Sequence, residues 1–169
     1  MKGRAPVGGK QARKTRRRQG TLISSSQTAV RVPRKKIAEL VSHVAAAEGA
    51  RLGQIDVAVV GRRKMAGLNS RWLGFSSPTD VLSFDLSDVH SPGLSAQIVV
   101  CGETAAEQGR LRGTGPQREL LLYVVHGLLH LIGYEDTSVR GAAKMHARQE
   151  ELLRAYLAPR GTRRRAGKK

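Results

Sequence analysis

Two histidines four residues apart, His126 and His130, stand in the stretch HGLLHLIGYED, residues 126–136. On a helix that spacing puts both imidazoles on one face, one turn apart, where they can hold a single ion. Gly133 follows and can take the left-handed conformation that ends a helix, so the chain can turn and bring Asp136 back as a third ligand. Three protein ligands leave one position open, the arrangement of a catalytic rather than a structural zinc. The zinc-peptidase pattern H-E-x-x-H-x-x-G-x-x-H/D has this spacing, but its general-base glutamate falls on Gly127, which has no side chain to take a proton. The residues therefore indicate metal chemistry other than that of a peptidase. The plainer alternative is two core histidines and an unrelated loop aspartate, which would leave buried imidazoles without partners at a cost in free energy.

These residues need a helix to carry them. PQRELLLYVVHGLLHLIG, residues 116–133, is predicted as one long helix opened by Pro116 and closed by Gly133. It is apolar on nearly every face from Leu120 to Ile132, which marks it as the buried central helix. Residues 137–157 and 103–111 read as further helices. RKKIAELVSHVAAA, behind Pro33, is another, with Ile37, Leu40, Val41, Val44 and Ala45 on one face and His43 off it, towards solvent. Strands are predicted at 28–32, 54–61, 79–86 and 95–101, and RRKMAGLNSRWLG between them reads as one or two helical turns. Strands interspersed with helices in this way indicate a single α+β domain over residues 20–159.

The net charge of +17 is unevenly placed. Residues 1–19 hold eight basic residues and no acid, and residues 160–169 hold six and no acid. The sixteen basic residues that remain nearly balance all thirteen acidic ones. Both ends therefore read as disordered cationic tails, whose salt-sensitive attraction to phosphates makes nucleic acid the favoured partner. Tails that serve only solubility are the bland alternative, and an organellar transit peptide lacks the amphipathic face it would need. No apolar run approaches the ~20 residues of a membrane span. The single Cys101 excludes an intrachain disulfide and suits a reducing cytoplasm.

Two separate motifs resemble those of the bacterial YbeY proteins, metal-dependent endoribonucleases of small-subunit rRNA maturation. HGLLHLIGYED is similar to that family's H-G-x-L-H-L-x-G-Y-D-H, and Leu68-Asn69 followed by PTDVLSF (78–84) to its L-N and P-T-D/N-V-L-S-F. Met145 and the pair Glu150 and Glu151 also agree, so the resemblance covers about residues 28–157. It implies a zincin-like fold, a small mixed sheet packed with helices around a central metal-binding helix. It further implies a cytoplasmic, single-strand-specific endoribonuclease with one zinc per chain, acting in 16S rRNA maturation and ribosome quality control with the small ribosomal subunit as partner. A non-catalytic rRNA-binding factor with a structural metal is the alternative.

By position, His126 and His130 carry over as metal ligands. The family's third histidine falls on Asp136 and its preceding aspartate on Glu135, so Asp136 is the expected third ligand, with Glu135 in reach of the same role. A carboxylate there lowers the formal charge of the site and suits harder, oxygen-preferring ions better than a third imidazole would. Glu135 and Asp80 are the candidates for proton transfer. A family arginine falls on Leu73, which cannot clamp a phosphate, and Arg71, on the same side if the segment is extended, is the candidate substitute. The family's G-D-I stands here as Ala96, Gln97 and Ile98, a change expected to alter strand or loop geometry rather than the metal.

Overall fold

Alternating apolar residues make LGQIDVAVV and LSAQIVVC the two central strands of the sheet, each burying one face on either side. In this computed structural model, residues 20–73, 79–90 and 92–159 are described. The two basic tails, Pro78 and the side chain of Leu73 lie outside them. The elements run β1 (Gly20–Ser25), α1 (Arg34–Ala47), β2 (Leu52–Val60), α2 (Arg62–Leu73), β3 (Val81–Asp85), β4 (Leu94–Cys101), α3 (Gly102–Leu111), α4 (Pro116–Ile132) and α5 (Val139–Leu157). The sheet order is β1-β2-β4-β3, parallel throughout except for β3, which pairs antiparallel with β4 at the edge. This is the expected α+β architecture with a small mixed sheet.

One face of the sheet, built by Ile55, Val57 and Val59 of β2 with Ala96, Ile98 and Val100 of β4, packs against α1 and α4, and α5 packs on those two helices. The other face presents Val60, Val99, Cys101 and Leu82 to Met65 of α2. α4 is buried at ten positions from Glu119 to Leu129, as its all-round apolar sequence requires. Glu119, buried in its first turn, is satisfied by the Thr114 hydroxyl at 2.7 Å and the Arg112 guanidinium at 3.0 Å.

Three expectations are corrected. Residues 28–32 form no strand; the first strand is Gly20–Ser25. The Gln27 side chain explains this, because its amide donates to the Val30 carbonyl at 3.0 Å and its oxygen accepts from the Val30 N–H at 3.0 Å. A side chain has taken the backbone bonds that a strand neighbour would use. α2 runs for twelve residues rather than one or two turns. Its inner face reads Met65, Leu68 and Asn69 at helical spacing, and this buried asparagine, 3% exposed, interrupts the apolar stripe that would have announced it. His43 does not face solvent: α5 lies alongside α1, and the Tyr156 ring sits 5.7 Å from the imidazole.

Candidate metal centre

The turn after α4 is set by local chemistry. Gly133 adopts φ 107°, its N–H bonds to the His130 carbonyl, and the Tyr134 N–H bonds to the Leu129 carbonyl. This pair of bonds is a Schellman ending, and a left-handed residue there reverses the chain. Tyr134 then ties the turn to the rest of the protein: its hydroxyl donates to Glu48 at 3.0 Å, and Glu48 also accepts from Arg148 of α5 at 2.7 Å. Burial, with Glu48 second, holds the Tyr134 hydroxyl above its ordinary pKa. Ser138 caps α5 by accepting from the Gly141 N–H, which fixes the far end of the same loop.

Between these anchors the loop returns Asp136 to the two histidines. His126 Nε2 and His130 Nε2 are 3.0 Å apart, and Asp136 Oδ2 lies 3.5 Å from His130 Nε2 and 3.9 Å from His126 Nε2. Among the described residues this is the group of His, Cys, Asp and Glu side chains able to share an ion. The protonation pattern follows from the neighbours. His130 Nδ1 faces the Tyr134 carbonyl at 3.1 Å, an acceptor only, so Nδ1 carries the hydrogen. His126 Nδ1 faces Gln149 Oε1 at 3.0 Å, while the same amide's nitrogen faces His146 Nδ1 at 3.2 Å, so His126 Nδ1 also donates.

Both Nε2 lone pairs are thereby left bare and directed at each other and at a carboxylate. Two acceptors cannot bond each other, and a cation between them resolves the arrangement. Zinc bonds of 2.0–2.1 Å in tetrahedral geometry require ligand separations of about 3.3 Å, close to those seen. The residues fit a divalent metal ion.

Gly127 answers the question raised by the missing peptidase glutamate. A Cβ at this position would lie 3.0 Å from methyl groups of both Ile98 and Val81. The position faces the sheet and lets α4 lie close against β3 and β4. A glutamate would be driven into that contact rather than towards the metal.

The structure brings together His126, His130 and Asp136 but not the other candidates. Glu135 is exposed and borders a separate depression with Glu48, Tyr134 and Lys144. Asp80 lies at the start of β3, where its backbone carbonyl takes the Cys101 N–H at 2.8 Å. Arg71 is exposed in the last turn of α2, a helix packed on the face of the sheet opposite α4. Because this segment is helical, the extended geometry that makes Arg71 a substitute at the site does not hold. Ala96 and Ile98 are core residues within β4. Gln149, 5% exposed, is the site residue that sequence reasoning missed. A glutamine among Arg148, Glu150 and Glu151 reads as surface, and only its position four residues after Met145 on the buried face of α5 hinted otherwise.

Fold and site together define a zincin-like α+β protein whose central helix and following turn bring together three side chains able to share a metal ion. The family described as endoribonuclease YbeY matches residues 22–157. An endoribonuclease YbeY of Acidothermus cellulolyticus is 35% identical over 130 residues, covering 70% of this chain and 79% of that protein. One of Salinibacter ruber is 35% identical over 125 residues, covering 70% and 80%. The solution structure of TM1509 from Thermotoga maritima superposes with a TM-score of 0.55 at 25% identity, over 80% of this chain and 88% of that one. The chain belongs to the endoribonuclease YbeY family.

Proposed function

We propose that this protein is a zinc-dependent, single-strand-specific endoribonuclease that holds one zinc ion through His126, His130 and Asp136. The observation that carries the reading is the pair of bare Nε2 atoms with a carboxylate beside them, in a chain of an endoribonuclease family. A divalent cation supplies Lewis acidity and neutralises charge on a phosphodiester. The chain's own groups do the rest. Gln149 and the Tyr134 carbonyl hold the imidazoles in the ligand tautomer, and Asp136, 43% exposed at its side chain, leaves the site open to a substrate. Glu135, next to Asp136 and exposed, is our candidate for accepting a proton, with Asp80 as the second choice. Arg71 remains a candidate contact for the RNA backbone rather than for the reacting phosphate, given its place on the far face of the sheet.

The cationic tails would recruit RNA, and the substrate we favour is rRNA of the small ribosomal subunit during 16S maturation and quality control, in the cytoplasm. No helix among the described residues is long and apolar enough to cross a membrane. The test is cleavage of a structured rRNA fragment with single-stranded ends by the full chain and by His126→Ala/His130→Ala, purified identically, each with and without chelator. Cleavage confined to the metal-loaded wild type supports the nuclease. Equal, chelator-resistant cleavage by both proteins refutes it, and RNA binding without metal-dependent cleavage leaves a binding factor.

A further inference from the structure

The face of the sheet turned away from α4 carries a cavity that the metal centre does not use. It holds about 400 Å³ between α2 and strands β2, β3 and β4, and its chemistry-bearing lining is Lys64, Trp72, Phe84 and Gln97. The Trp72 and Phe84 rings lie 5.7 Å apart and tilted by 59°, and Trp72 is 61% exposed, so the pair makes an aromatic wall with a free face. An exposed tryptophan at the mouth of a cavity is the usual form of a stacking platform.

The polar groups around that wall are mixed in kind. Asp85 follows Phe84 and pairs with Ala96, so its side chain lies on the Val81 face of the sheet, where Oδ1 accepts from the Ser87 N–H at 2.8 Å. Gln97 adds a half-buried amide that both donates and accepts, and Lys64 adds an exposed cation. A flat ring with amino and carbonyl groups on its edge, attached to a phosphate, matches this set group by group. The ring lies on the indole, its edge meets the Gln97 amide, and the phosphate meets the lysine. An apolar protein segment matches it worse, because Gln97 and Lys64 would lose water without partners. The net charge of +17 also favours a polyanion.

The two sites share an edge. In β3, Val81 abuts Gly127 of the metal-binding helix on one side, while Phe84 lines the cavity on the other. β3 is an outer strand of the sheet, so a nucleic-acid strand can pass over it from one face to the other.

We propose that this cavity is a nucleobase subsite, which stacks one unpaired base of a single-stranded RNA on Trp72. The proposal rests on the reading of this protein as an RNA-cleaving enzyme. The Gln97 amide both donates and accepts, so it can meet the edge of any of the four bases. The subsite selects single strands because a paired base has no free face or edge to offer.

Trp72 is the one tryptophan of the sequence, so intrinsic fluorescence reports this site alone. The full chain is titrated with an end-labelled, uncleavable 2′-O-methyl oligonucleotide of adenosine and cytidine, and tryptophan quenching and label anisotropy are followed together. Raised salt suppresses the tails' phosphate contacts. Quenching should track anisotropy. Trp72→Ala should weaken binding by ~5- to ~150-fold, the worth of one stacked base, with Trp72→Phe restoring most of it. Thermal melting confirms folding of the variants, which lose a largely exposed side chain. Binding without quenching, and unaffected by Trp72→Ala, overturns the subsite while leaving RNA recognition intact, and would point to a protein segment as the occupant. No anisotropy change at any salt concentration overturns the RNA reading itself.

Discussion

At the scale of single residues, the candidate metal centre depends on groups that would not touch the ion. An imidazole offers Nε2 as a ligand only while Nδ1 keeps its hydrogen, and the acceptor that keeps it there for His126 is the Gln149 amide oxygen. Gln149→Leu removes this acceptor and should lower zinc affinity by ~10–100-fold, read by competition with a fluorescent chelator. Gln149→Glu retains an oxygen acceptor, so it should restore affinity, and its charge should favour the metal further. Equal zinc affinity in all three proteins would show that Gln149 only fills space. His130 needs no such side chain, because a backbone carbonyl delivered by the Gly133 turn does the same work.

Among the elements, α4 decides most. It presents its histidines on one side while Gly127 lets its other side lie against Ile98 and Val81. Overfilling this contact has a cost of ~1–3 kcal/mol, since interiors are close-packed and yield little. Gly127→Leu should therefore lower the urea midpoint, and the displaced helix should also weaken zinc binding. A variant as stable as wild type would mean that α4 and the sheet do not pack as described. α2 works differently, with Met65 and Asn69 buried beneath and basic residues above, so it covers the second sheet face while presenting Lys64 and Trp72 outwards.

For the whole molecule, stability at high pH follows from a tyrosine in the core. Burial is the main cause, with Asp80 and Glu119 contributing, of a Tyr123 pKa well above the ordinary value. A group whose folded pKa is raised contributes stability that is fully present below its unfolded pKa, about 10. That contribution is lost as pH rises from there through the folded value. Between about pH 8 and about pH 11 the urea midpoint should fall less in Tyr123→Phe than in wild type. Parallel falls would show that Tyr123 titrates as freely in the folded protein as in the unfolded chain.

The sequence by itself determined what depends on neighbours within a few turns. His126 and His130 share a face because 3.6 residues make a turn, Gly133 ends the helix because it tolerates positive φ, and α1 buries the five residues its periodicity names. Asp136 was legible for the same reason, lying three residues past that turn. Tertiary structure alone decided what comes from distant parts of the chain. It brought Gln149 to His126 across 23 positions, turned Gly127 to the sheet, and set Gln27 against the Val30 backbone where alternation had suggested a strand. It also carried Arg71 away from the reach expected of it, because twelve residues from Arg62 to Leu73 wind into a helix on the opposite face. Local periodicity reports which face of an element is apolar. Packing chooses which polar side chain meets it, since that requires the whole core to close around both.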